Sequence, residues 1–284
     1  MKMKKYVTLT TLFAMISLLL FACGGVTAVP TPTLGIGPTI VSNKDGMVMF
    51  FVPQGKFTMG SDHGFPQEKP VHTVYLDAFW IDQTEVTNAM YAKCVSSGVC
   101  KEPSNKSSFT RPSYYDNSKF DNYPVVYVDW YMAKTYCEWR GGNLPTEAQW
   151  EKAARGTDER TYPWGGNINC SFANYWGNDR TNSCVGVIIN DTTKVASYES
   201  GKSPYGLYDM AGNVLEWVMD WYSDTYYQNS LPSNPIGPDA GIYRVQRGGS
   251  LSYVGLDVNS SHRFENTPMV ASPDVGFRCV RSLP

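Results

Sequence analysis

Histidine is scarce in this chain of 284 residues: His63, His72 and His262 are the full complement, and none has a second histidine at HxH or HxxxH spacing. A metal centre built on histidine is therefore not expected. A surplus of one charge is missing too, with 24 Lys and Arg against 26 Asp and Glu, a formal net charge of −2. Without a basic surface there is no electrostatic footprint for nucleic acid. The apolar stretch Val7–Phe21 falls short of the roughly 20 residues that a comfortable membrane span needs. Internal repeats, coiled-coil heptads and a GxSxG elbow are absent, and no cysteine occurs between Cys184 and Cys279.

What is present begins with an export pattern. Lys2, Lys4 and Lys5 precede the apolar stretch, and Leu20-Phe21-Ala22-Cys23 ends it before Gly24 and Gly25. This reads as a signal peptide over residues 1–22 with a lipobox-like end, and predicts a diacylglycerol thioether on Cys23. Residues 23–43, rich in Pro, Thr and Gly, read as a tether. Residues 44–284 then form one domain with ample apolar and aromatic side chains for a core. The expected location is a membrane-anchored lipoprotein at the cell surface or in the periplasm. Loss of residues 1–22 removes three lysines and no acid, taking the formal charge from −2 to −5.

With Cys23 lipidated, six cysteines remain in an oxidising compartment, an even number that reads as disulfides. Cys94 and Cys100 bracket a short turn containing Gly98, and Cys170 and Cys184 bracket a polar loop, so each pair can close locally. Cys137 and Cys279 are then left for each other, although six cysteines allow many other pairings and the alternative is free, buried thiols.

Helix signals are short and well capped. Thr87 to about Ser97 stops at Gly98, Asp129 can cap WYMAKTYCEWR, and Thr146 with Gln149 forms a capping box for EAQWEKAAR, closed by Gly156. Strands are predicted at 47–53, 56–59, 73–81 and 243–248, where β-branched and aromatic residues cluster between turn residues. Elsewhere Gly, Pro, Asn, Asp and Ser interrupt every few residues, predicting an α+β domain with much irregular loop.

A series of motifs runs in order along this domain: Val52 to Ser61 (VPQGKFTMGS), Pro70-Val71-His72, Phe79-Trp80-Ile81, Glu85 to Asn88, Tyr123-Pro124-Val125, Leu144 to Glu151 (LPTEAQWE), Tyr162 to Gly165, Pro204 to Trp217 (PYGLYDMAGNVLEW), Arg247 to Ser250 (RGGS) and Gly276 to Val280 (GFRCV). From about Met47 to Val280 the chain resembles the sulfatase-modifying-factor family, whose best-known members are formylglycine-generating enzymes. The resemblance implies a C-type-lectin-like α+β fold and a disulfide between the positions of Cys137 and Cys279. It also implies structural calcium held by Asp209, the carbonyls of Gly212 and Val214, and Glu216, hard oxygen ligands of the kind Ca²⁺ takes. A second calcium would use Asn174 and the carbonyl of Tyr175, with Asp191 as the candidate remaining acid.

The resemblance stops at the redox centre. Formylglycine-generating enzymes bind copper through two cysteines placed five apart after GGS, and soft Cu(I) needs soft sulfur. Here the corresponding positions hold Tyr253 and Val258, and Leu215 stands where active enzymes commonly carry Trp. Copper is not expected, nor is iron, because the related iron enzymes draw their histidines largely from an additional helical domain. Ser250, Tyr253, His262 and Arg263 remain pocket candidates without an assigned catalytic role. Tyr253, Trp176, Trp221, Tyr222, Tyr226 and Tyr227 could line a surface for a peptide, protein or glycan, or could pack the core of an irregular fold.

Two functions follow: an accessory, noncatalytic binding module on a monomeric surface lipoprotein, or a divergent oxidoreductase acting on a protein or peptide.

Overall fold

A computed structural model describes residues 37–177 and 191–283. The three α-helices among them start where the caps predict. The Thr87 hydroxyl accepts from the Met90 N–H ahead of α1 (Asn88–Ser96), and the Asp129 carboxylate accepts from the Met132 N–H ahead of α2 (Trp130–Trp139). Thr146 and Gln149 close a reciprocal capping box on α3 (Glu147–Arg155).

One sheet has the order β1-β2-β5-β10, formed by β1 (Thr39–Val41), β2 (Val48–Val52), β5 (Phe79–Asp82) and β10 (Val280–Ser282). The hairpin of β3 (Gly55–Met59) and β4 (His72–Leu76) is separate. The other sheet, in order β8-β7-β6-β9, joins β6 (Leu215–Trp221), β7 (Arg244–Arg247), β8 (Phe264–Asn266) and β9 (Val275–Phe277), with β6 and β9 parallel. Helix α3 lies against β3, β4, β6 and β7. Trp150, Ala153 and Ala154 of α3 share a buried cluster with Val52, Phe57, Ile81, Val218 and Val245. A second buried cluster joins α1 and α2 to β6 and β9 through Tyr91, Tyr136, Trp217 and Phe277.

Two expected boundaries are corrected. The expected tether runs through residue 43, but Thr39–Val41 pair with Val48–Phe50 as the edge strand β1; its β-branched run fits a pleated edge better than a linker. The single strand expected over 73–81 is two. His72–Leu76 pairs with β3 and, through Tyr75, with Ser233, whereas Phe79–Asp82 pairs with β2 and β10. The break falls at Asp77, whose N–H donates to Asn234 Oδ1 at 2.9 Å and whose carboxylate accepts from Asn234 Nδ2.

Cys94–Cys100 and Cys137–Cys279 are both bonded, the latter tying α2 to the segment between β9 and β10. Cys170 is also disulfide-bonded. Its expected partner Cys184 lies outside the described residues, as do Cys23 and the signal segment.

Candidate functional site

The loop Asp209–Glu216 meets the RGGS and GFRCV motifs in one place. Gly212 donates its N–H to the Gly248 carbonyl of the RGGS turn, and Leu251 donates to the Asn213 carbonyl. Gly212 has φ +75°, and a Cβ there would lie 2.3 Å from the Asn174 carbonyl oxygen, so close packing excludes a side chain. Beneath the loop, Arg278 of GFRCV donates from Nε and Nη2 to the two oxygens of Glu216, both at 2.7 Å, and Trp150 Nε1 donates to Glu216 Oε2 at 2.8 Å. Glu85 accepts from Asn213 Nδ2 at 2.7 Å and from the Val214 N–H at 3.1 Å. Asp209 accepts from the Ala196 N–H at 2.7 Å.

Three carboxylates thus share one guanidinium in a buried space. Burial first, then the charges of Asp209 and Glu216, pushes Glu85 far above the usual carboxylate range. Burial, with Glu216 adding, raises Asp209 to about 6 against the opposing pull of the Ala196 N–H and Arg278. The excess of negative charge suits a hard divalent cation. No group of three or more His, Cys, Asp or Glu side chains stands in metal-holding geometry among the described residues, so such an ion would have to draw also on main-chain oxygens such as those of Gly212 and Val214.

At the second expected calcium position the Asp191 carboxylate is held by the chain's own groups. Asp191 Oδ2 accepts from Ser108 Oγ, Thr110 N and Thr110 Oγ1 at 2.6–2.9 Å, and Arg111 Nη1 stands 3.2 Å from Oδ1. Asn174 Nδ2 donates to the Asp191 carbonyl, the Asn174 carbonyl accepts from the Asn213 N–H, and Tyr175 is buried in an apolar cluster. The chain's own guanidinium therefore lies against Asp191, the acid expected to complete that site.

The segment after RGGS forms the rim of a cavity. Ser250 Oγ donates to Asp274 Oδ2 at 3.0 Å and accepts from the Ser252 N–H, which locks the serine into the turn. Tyr253, half-buried, lines a cavity of 440 Å³ with Trp176, Ser252, Val254 and Asp257. Val258 is fully buried among Tyr162, Ala173, Tyr175 and Ala211, and the Tyr253 ring packs on the same cluster. A tyrosine ring and a core valine therefore fill the two positions five apart.

His262 and Arg263 do not reach this cavity's lining. The His262 ring lies between Phe65 and Phe264, with Nδ1 3.5 Å from Glu68 Oε1. Arg263 is buried in a two-point pair with Glu147 at 2.7 and 2.8 Å, donates to the Gln67 and Ser223 carbonyls, and lies over Tyr222 and Tyr227. Trp221 stacks on Arg244, which Trp130 covers from the other side, and Tyr226 packs on the core. Of the six aromatic candidates, Trp176 and Tyr253 line the cavity, and the other four pack on buried groups.

Glu85, Arg278 and Asp274 were not singled out from sequence. The available signal was a charged residue inside an otherwise apolar motif, as in Glu85-Val86 and Gly276-Phe277-Arg278. Such a charge is retained in a core only where it has partners.

Comparison with known proteins agrees with this fold. Residues 38–283 match the profile of the sulfatase-modifying factor enzyme 1-like domain. The formylglycine-generating enzyme of Streptomyces coelicolor is 35% identical over 277 residues, covering 80% of this chain and 87% of that one. A serine/threonine-protein kinase, pkn1, of Chlamydia caviae is 36% identical over 248 residues, covering 83% of this chain, which spans only 38% of the kinase's length. The structure of PvdO from Pseudomonas aeruginosa superposes with a TM-score of 0.72 at 25% identity, covering 87% of this chain and 99% of that one. With its motifs converging on the Asp209–Glu216 loop and its whole described domain matched, this chain belongs to the sulfatase-modifying-factor, or formylglycine-generating-enzyme-like, family.

Proposed function

We propose that this protein is a surface-anchored lipoprotein whose family domain serves as a non-oxidising binding module stabilised by calcium. One observation carries the reading: the two positions that supply copper thiolates in formylglycine-generating enzymes hold Tyr253, packed on its neighbours, and Val258, buried in the core. Neither side chain is a soft ligand, and no cysteine between Cys184 and Cys279 could take their place. Ser250, which the family retains, is committed to Asp274 and its own turn.

Calcium is assigned to Asp209, the Gly212 and Val214 carbonyls and Glu216, with a second ion at Asn174 and the Tyr175 carbonyl as the family resemblance implies. When bound, the first ion offsets carboxylate charge that Arg278 alone leaves in excess. The chain's contribution is positional: Trp150 and Arg278 hold Glu216, while Glu85 holds the Asn213 side chain and the Val214 N–H.

Metal analysis of the purified protein, with oxygen consumption measured on a cysteine-containing sulfatase peptide, tests this reading. Bound calcium without stoichiometric copper or iron, and no oxygen uptake above background, is the expected result. Stoichiometric redox metal or peptide-dependent oxygen uptake would replace it with the second reading, a divergent oxidoreductase acting on a protein or peptide.

A further inference from the structure

The cavity at Tyr253 has a chemical character of its own. Trp176 and Tyr253, both half-buried, supply two aromatic walls, and the Trp176 N–H donates to the Tyr253 carbonyl at 2.8 Å, fixing the two loops together. The Tyr253 ring is held from behind by Phe264 at 4.6 Å between centroids, Phe264 by His262 at 4.2 Å, and His262 by Phe65 at 4.6 Å. This row of rings fixes the Tyr253 wall, so little side-chain entropy remains to be lost on binding. Asp257 completes the lining, and its carboxylate makes no hydrogen bond or ion pair with any described residue. No Lys or Arg lines the cavity among the described residues. Asp274 and Glu265 lie near enough to act on Tyr253. After burial, the charges of Asp274, Asp257 and Glu265 push its hydroxyl up.

Aromatic faces beside an unpaired carboxylate attract a cation: the ring quadrupole and the acid act on the same charge, and partial burial weakens the competition from water. We propose that this cavity binds the guanidinium or ammonium group of a basic ligand, an arginine or lysine side chain of a polypeptide. The proposal deepens the binding-module reading and rests on it. A glycan could also stack on the rings, but it would leave the Asp257 charge uncompensated, which favours the basic side chain.

Calorimetric titration of the full-length protein distinguishes the possibilities. The probes are an acetylated, amidated Gly-Arg-Gly peptide, the same peptide with neutral citrulline in place of arginine, free arginine, and chitotriose. The arginine peptide is expected to bind about tenfold more tightly than its citrulline counterpart. Asp257→Asn should abolish that preference while leaving the thermal midpoint unchanged, and Trp176→Ala should weaken the arginine peptide about fivefold. Free arginine binding as well as the peptide would support the cation site and assign it to a small molecule. Equal binding of the arginine and citrulline peptides, retention of the preference in Asp257→Asn, preference for chitotriose, or no binding of any probe would overturn the proposal. None of these probes contains cysteine or calls on oxygen, so redox metal or oxygen uptake would sink the non-oxidising reading without deciding this result.

Discussion

Asp220 illustrates how much a single buried acid can impose on this fold. It sits in β6, is buried, and its Oδ2 accepts the Glu147 N–H at 2.7 Å at the start of α3. Burial first, then the charge of Glu147, raises its carboxyl from an ordinary value of 3.8 to about 8, while the Glu147 N–H, Arg263 and Arg244 oppose the shift. The folded protein therefore keeps a proton that the unfolded chain releases once pH passes about 4. This group's contribution to stability is greatest below that point, falls as pH rises toward about 8, and is level beyond. Asparagine can accept the same N–H without ionising. Asp220→Asn is thus expected to match the wild type near pH 4 and to exceed it by roughly 1–3 kcal/mol at pH 8. Urea unfolding of both proteins across this range checks it, and a difference independent of pH would rule out the titration of Asp220 as its source.

At the scale of elements, what the sequence shows depends on whether its signals are local. Caps are local, so Thr87, Asp129 and Thr146 mark α1, α2 and α3 within a residue or two. Strand β6 escapes because Leu215–Trp221 carries two acids in a largely buried run, and those acids are held by partners that no local pattern reveals: Arg278 for Glu216, the Glu147 N–H for Asp220. The candidate cation loop is legible as a motif from Asp209 to Glu216, but Glu85 reaches Asn213 from 128 positions away, beyond any spacing rule.

The disulfides turn the same contrast into a measurement. Cys94–Cys100 closes a separation of 6 residues, and Cys137–Cys279 one of 142. Loop-closure entropy rises with the logarithm of loop length, giving about 2 kcal/mol for the first and about 5 kcal/mol for the second. Replacing both cysteines of a pair by alanine should therefore lower unfolding stability much more for Cys137 and Cys279. Chemical denaturation of the two double variants reads this directly, and an equal or reversed loss would show that chain entropy is not the controlling factor.

The whole molecule poses the question of how a domain of this kind would be held at a membrane. No helix among the described residues is long and apolar enough to cross one. After loss of residues 1–22 the formal charge is −5, so general electrostatic attraction to an anionic lipid surface would be unfavourable. The proposed attachment therefore rests on Cys23 and its diacylglycerol, and two acyl chains suffice for stable anchoring where one is marginal. Attachment of this kind has a distinct signature: it withstands high salt, which strips electrostatic association, and yields to detergent. In a host that processes such signals, the wild type is expected in the membrane fraction after a high-salt wash. Cys23→Ala should move it to the soluble fraction with its fold intact, because the domain's disulfides and the buried clusters of its core lie downstream of that residue. Fractionation unchanged by the substitution, or release of the wild type by salt alone, would reject the lipid anchor.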